Sequence, residues 1–204
     1  MDCAFCDLDK ERHENNVLFE SDNFYAVPAL HGAIAPGHIL MISKEHISCY
    51  SALPVHMHAE FNSFKQYATE KVSSNFAIPI LSELGNYHQS IPHAHIHIFP
   101  SKSSHYSIDS LVKAVPPEII INKLESLDGL IDIFNRDGEY VSIEENGKLY
   151  VCRTKGYTGE LIRFRDLFVK LTGLEEFRDW RKMDEAANNR NSRWIDETKM
   201  RLGE

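Results

Sequence analysis

The apolar positions change period along the chain, and those changes mark out the elements. Residues 17–27, Val-Leu-Phe-Glu-Ser-Asp-Asn-Phe-Tyr-Ala-Val, read as two short strands around a Ser-Asp-Asn turn, because small polar side chains hydrogen-bond their own backbone there. Residues 28–37 read as loop, with Pro36-Gly37 as a turn signal. His38 to Ser43 is an apolar run that suits a buried strand. Over 53–75, Leu53, Val55, Met57, Phe61, Phe64 and Tyr67 recur at helix-like spacing and predict one long helix. Residues 77–84 and 93–99 predict two further strands, joined by a loop from Gly85 to Pro92.

The later half is less regular. Ser107 to Leu127 reads as partly helical, broken at Pro116-Pro117. Residues 139–154 predict a hairpin, since Asn146-Gly147 favours the positive φ angles of a type I′ turn. Residues 159–172 and 182–201 predict helices, the last a polar surface helix. The expected class is α+β. A small antiparallel sheet with one long helix spans about 1–110, and a smaller α/β extension of hairpin and helices spans 111–204.

Composition narrows the function classes. The chain has 204 residues, 43% hydrophobic and 25% charged, which is ordinary for a globular protein. Its formal net charge of -8 disfavours binding to duplex nucleic acid, which needs a basic surface. A small nucleotide needs only a few local donors and is not excluded. No apolar run reaches the roughly 18 residues of a membrane span, so no membrane partner is expected. The first residues turn polar after Phe5 and do not read as a secretory signal, so a cytoplasmic location is expected. In that setting the four cysteines, Cys3, Cys6, Cys49 and Cys152, suggest metal binding before disulfides.

The strongest chemical signal is His93-Ala94-His95-Ile96-His97-Ile98-Phe99. Alternate residues of a strand share a face, so the three imidazoles are expected on one face and Ala94, Ile96 and Ile98 on the other. Three readings fit: a polar strand face, a trio of metal ligands, or a catalytic row in which neutral imidazole attacks phosphorus. Attack needs neutral imidazole, so activity is expected to fall well below pH about 6.5. Cys3-Ala4-Phe5-Cys6 suits tetrahedral zinc, with a thioredoxin-like redox pair as the alternative. Cys49 and Cys152 read as ordinary buried residues. His13, His31, His56, His58, His88 and His105 lack patterned partners and read as surface or loop residues.

Taken together, these pieces resemble the histidine triad (HIT) superfamily. Gln89-Ser90-Ile91-Pro92 resembles the stretch leading that triad, and Ala35 to Ile47 resembles the family's Pro-Gly-His, strand, Pro-Lys-x-His segment. The resemblance implies that His95 is a nucleophile that takes up a nucleotidyl group. It places His97 and His38 on the phosphate, Ser90 near the leaving oxygen and Gln89 as the residue ordering the loop. In the zinc-bearing members, and in the related galactose-1-phosphate uridylyltransferases, two histidines complete the cysteine site. Mapped here the ligands are Cys3, Cys6, His46 and His93, a structural Zn2+ site with no open position. The resemblance also implies a homodimer through the helix and sheet edge, unless the appended unit occupies that surface.

The pattern departs from the family in places. The loop before Pro-Gly-His, Val27 to Ile34, carries no Asp or Glu, where many members bind the ribose hydroxyls through an acid. Tyr87-His88 stands where glycines often precede the Gln-Ser. The second half faintly resembles the extension of CwfJ-type proteins through its hairpin, Leu161-Ile162-Arg163-Phe164-Arg165, Leu171-Thr172-Gly173-Leu174 and Asp179-Trp180-Arg181. Arg163, Arg165 and Arg181 are candidates for substrate phosphates, since guanidinium matches phosphate geometry. Solvated charge on a packing helix is the plainer explanation for each. Trp180 reads as an interface anchor rather than a base-stacking platform.

Two functions follow. One is a nucleotidyl hydrolase or transferase acting on dinucleoside polyphosphates, phosphoramidates or nucleotide sugars. The other is a non-catalytic nucleotide sensor or adaptor. A third possibility makes the histidines ligands of a catalytic metal.

Overall fold

The computed structural model describes residues 3, 5, 6, 15–101 and 106–203. The readings of His13 and His105 lie outside these residues. β1 (Phe19–Glu20) and β2 (Phe24–Pro28) form the expected hairpin. β3 (Ile39–Ser43) pairs antiparallel with β2 on one side and β5 (His95–Pro100) on the other. β4 (Pro79–Gly85) flanks β5. The hairpin of the second half is β7 (Tyr140–Glu145) and β8 (Lys148–Arg153), with Asn146 and Gly147 at φ 48° and 75°. Those positive angles are what its tight turn requires. β7 ladders onto β4 from Ile80 to Gly85, and β6 (Ile120–Leu124) pairs with β8. The described strands thus form one antiparallel sheet in the order β1-β2-β3-β5-β4-β7-β8-β6.

Alternation gives this sheet two different faces. Ile96 and Ile98 join Phe24, Met41 and Leu81 on one, where α1 (His58–Asn75) lays Phe61, Phe64, Ala68 and Val72 against them. Their i, i+3, i+7, i+11 spacing is a single helical stripe. α3 (Leu127–Asp137) covers Tyr140 and Val151 beyond it, through Leu130 and Ile133. The opposite face carries Ile80, Leu84, Phe99, Val141 and Ile143 and is covered by α2 (Ile108–Ala114) and α4 (Phe164–Thr172). α5 (Glu185–Leu202) starts at Asp184, whose carboxylate accepts from the Ala187 N–H at 2.8 Å, and ends with Leu202 in the α1 core. Among the described residues no helix is long and apolar enough to cross a membrane.

Several boundaries differ from the sequence expectation. The long helix begins at His58, not 53. Leu53 and Pro54 are extended, and short 3-10 turns at Tyr50–Ala52 and Val55–Met57 flank them. A residue before proline is pushed out of the helical region, which explains the break. Val55 is accordingly 82% exposed. The strand expected over 93–99 begins at His95. The stretch expected to be partly helical to Leu127 is a short helix and then β6, an outer strand whose Ile120 is 57% exposed. Helix α3 occupies a stretch for which the apolar pattern predicts no helix, and Gly138 closes it at φ 81°. The helix expected from 159 begins at Phe164.

Candidate functional site

The register of β5 against its neighbours sets the site. Leu40 faces His97 across the ladder and Ile42 faces His95, so both imidazoles project on the α4 side. His38, just before β3, completes the row. Ring centroids lie 5.3 Å apart between His95 and His97, and again between His97 and His38. His38 and His95 are buried and His97 is half-buried. Burial holds all three below the ordinary imidazole value, with His95 pushed down to about 4. The rings are therefore neutral across the range in which an unperturbed histidine would titrate.

Hydrogen bonds then fix each tautomer. The Ile34 N–H donates to His38 Nδ1 at 3.2 Å, so His38 carries its proton on Nε2. That Nε2 lies 3.1 Å from His97 Nδ1 and donates to it, which places the His97 proton on Nε2. His95 is the reverse. Its Nδ1–H donates to the His93 carbonyl at 2.7 Å, leaving a lone pair on Nε2. The row thus offers a nucleophilic nitrogen beside a ring whose free nitrogen is a donor.

His93 does not join this row. It precedes the strand, and its Nε2–H donates to the Ser43 carbonyl at 2.7 Å. Its Nδ1 is left facing Cys3 Sγ at 3.4 Å and Cys6 Sγ at 3.5 Å, while His46 Nδ1 is 3.1 Å from Cys6 Sγ. The donor atoms of Cys3, Cys6, His46 and His93 all lie within 4.8 Å of one another, close enough to hold one metal ion. Bonds of about 2.3 Å to sulfur and 2.0 Å to nitrogen in a tetrahedron put ligand atoms roughly 3.5 Å apart, so the set fits such an ion. The Ser43 carbonyl is the kind of outer partner that orients a ligating imidazole. Phe5 stands between the two sites, edge-on to His93 at 5.6 Å and to His95 at 5.2 Å.

The second half builds the rest of the surroundings. Phe164, opening α4, packs on His97 at 4.4 Å and stacks on Phe99 at 5.3 Å. The loop before His38 is held from α5. Asn191 accepts from the Ala33 N–H at 2.7 Å and donates to the Leu30 carbonyl at 3.0 Å, and Thr198 accepts from the Gly37 N–H at 2.8 Å. Gly37 has φ 83° and lies against Phe76 and Pro100, so a side chain there is excluded twice over. Trp180 stacks on His31 at 4.9 Å. Arg165 is only 9% exposed and crowds Gly32, where an added Cβ would lie 3.2 Å from its Nη1.

The remaining sequence candidates sort by geometry. Gln89 ties its loop down, donating to the Ser48 carbonyl at 3.3 Å. Ser90 is exposed and has no hydrogen bond to the row. Arg163 is paired with Asp166 and Arg181 with Asp179. Cys49 and Cys152 are fully buried, and burial pushes both thiols up to about 12. Phe164, Asn191 and Thr198 were not singled out from the sequence. Each sits more than 60 residues from its histidine or loop partner, and nothing local marks it.

The fold and row define an α+β protein with a buried imidazole line beside a Cys2His2 cluster. Residues 10–104 match the family model of the HIT domain, which supports placing this part of the chain in the HIT superfamily. No curated protein matches the chain. Among solved structures, it is similar to a hypothetical histidine triad nucleotide-binding protein of Sulfolobus tokodaii strain7. The two are 22% identical, with 52% of this chain and 74% of that one covered and a TM-score of 0.42. It is also similar to a HIT family member from Bacillus subtilis, at 19% identity, 55% and 92% coverage and a TM-score of 0.42. A HIT family hydrolase from Clostridium thermocellum gives 22% identity, 52% and 96% coverage and a TM-score of 0.39.

Proposed function

We propose that the protein is a nucleotide phosphate-bond hydrolase or nucleotidyltransferase that works through a nucleotidyl-histidine intermediate on His95. The opposed tautomers of His95 and His97 carry this reading. In the first step His95 Nε2 forms a bond to the α-phosphorus. The bond from phosphorus to the leaving oxygen or nitrogen breaks, and the leaving group departs with the electron pair and gains a proton. In the second step water or an acceptor hydroxyl attacks phosphorus and loses its proton. The phosphorus–nitrogen bond then returns its pair to Nε2.

Phosphoryl transfer has a loose transition state, so alignment and charge stabilisation do most of the work. His97 Nε2–H donates to a phosphoryl oxygen, and His38 holds His97 in the donating tautomer. Ser90 serves the leaving group from the loop that Gln89 anchors. Dinucleoside polyphosphates, phosphoramidates and nucleotide sugars are the candidate substrates.

The donor set of Cys3, Cys6, His46 and His93 suits zinc. With four protein ligands the ion would be structural, fixing the N-terminal segment beside His95. A cytoplasmic location suits cysteines that form no disulfide among the described residues. The homodimer implied by the resemblance would need a surface other than the outer edge of β4, because β7 pairs there.

The deciding experiment is mass spectrometry of the protein after incubation with a mixed nucleotide pool. The expected result is a nucleotidyl adduct on the His95 peptide, absent in His95→Asn. If His95→Asn turned over every substrate at the parent rate, the mechanism would be wrong. The sensor reading has one observation in its favour: residues 27–34 carry no carboxylate to hold a ribose. Tight nucleotide binding with no turnover across the same pool would favour it.

A further inference from the structure

Three arginines of the second half differ in one respect. Arg163 donates to both oxygens of Asp166, at 2.8 and 3.2 Å. Arg181 is held by Asp179 at 2.9 Å. Arg165 has no carboxylate within ion-pair distance among the described residues. The nearest acids, Asp166 and Asp179, are already engaged by Arg163, Arg178 and Arg181. The hydrogen bond that Arg165 makes among the described residues is a long one, Nη1–H to the Phe177 carbonyl at 3.3 Å. A guanidinium carries five N–H donors, so most of those in Arg165 have no protein acceptor among the described residues.

None of its nitrogens is among the buried atoms left without a partner, so the N–H groups that lack a protein acceptor face space that a ligand could fill. Burial and the neighbouring Arg163 lower Arg165 only to about 10, so it stays charged at neutral pH. Its position relates that space to the histidine row. The ring of Phe164 is a shared wall, 4.4 Å from His97 and 5.1 Å from the guanidinium carbon. The charge of Arg165 is felt by both His38 and His97. It is not among the groups acting on His95. The cation therefore stands at the His38–His97 end of the row, against Gly32.

We infer that Arg165 is a substrate-binding residue whose free N–H groups hold the oxygens of a second phosphoryl group. The preferred substrate then carries at least two phosphoryl groups, one at His95 and one at Arg165. This rests on the reading of His95 as the group that meets phosphorus. It adds that the second half of the chain selects the substrate. A guanidinium fork reads a phosphoryl group through paired hydrogen bonds, which a lone ammonium cannot reproduce.

The test is calorimetric titration of the full chain with inorganic pyrophosphate, inorganic phosphate and malonate, in a His95→Asn background that cannot react. Pyrophosphate is expected to bind at least tenfold more tightly than either other anion. Arg165→Met should remove that preference while melting within a few degrees of its parent, because it breaks no ion pair among the described residues. If Arg165→Met does not fold, Arg165→Lys carries the test, with pyrophosphate affinity expected to fall at least threefold. Equal affinities for phosphate and pyrophosphate would overturn the proposal. So would tighter binding of malonate, or either folded variant binding pyrophosphate as the parent does. Arg165-dependent pyrophosphate binding in a protein that forms no adduct on His95 would sink the covalent reading and leave this one standing.

Discussion

Asn191, on the last helix, holds the backbone N–H of Ala33 at 2.7 Å across a separation of 158 residues. The same amide reaches the Leu30 carbonyl, so one side chain braces both sides of the loop that delivers His38. Replacing it with alanine leaves a buried donor without its acceptor. Asn191→Ala is therefore expected to lose about 1–3 kcal/mol of stability. It should also lower kcat/KM more than a control substitution on the exposed side of the same helix. Thermal melts with parallel kinetics check this, and unchanged values in both would show that the brace is dispensable.

The tautomer chain makes a sharper demand on His97. Asparagine at this position removes the Nε2–H donor, while its amide oxygen can still accept the His38 proton as Nδ1 does. Loss of one donor to developing phosphoryl charge typically costs about 10²–10³ in kcat. His97→Asn should show that fall with KM little changed, while His95→Asn shows no turnover. A His97→Asn enzyme within threefold of its parent would remove His97 from the proposed mechanism.

Metal content separates the two histidine groups. One zinc per chain is expected by elemental analysis. It should be lost in Cys3→Ser and retained in His95→Asn. Chelation should lower the melting temperature of the parent and leave Cys3→Ser unaffected, because a bound ion stabilises the folded state alone. Zinc lost with His95 or His97 would instead mark the row as the metal site.

Part of the acid stability can be assigned to Asp137, which Arg136 also contacts at 3.2 Å. Arg153 donates to both oxygens of Asp137, at 2.6 and 3.1 Å, and holds its carboxyl down to about 2. A carboxyl depressed on folding adds stability that is fully present above its unfolded value, about 3.9. That stability is lost as pH falls through the folded value. Asp137→Asn should thus melt several degrees below its parent at pH 7. The gap should close between about pH 4 and pH 2, and a gap independent of pH would refute the assignment.

Much of the first half could be read from local pattern. The alternation of His95 and His97, the Pro-Gly turn and the apolar stripe of α1 from Phe61 onward are short-range signals, and each forms in the structure. Pro54 moved the start of α1 because a single ring outweighs apolar spacing. His93 left the row because its pattern shows two-residue periodicity but not where the strand begins. What the second half adds was out of reach. Phe164 meets His97 and Arg165 meets Gly32 through folding back of distant chain, and an isolated arginine in sequence looks the same whether paired or not.

The ladder between β4 and β7 has a consequence for any attempt to dissect the protein. A fragment ending near residue 110 would present a bare hydrogen-bonding edge along β4. It would also expose the apolar surface that α4 now shields around Phe99. Unguarded strand edges recruit other strands. Such a fragment should come out of solution as aggregate rather than behave as a smaller version of the whole.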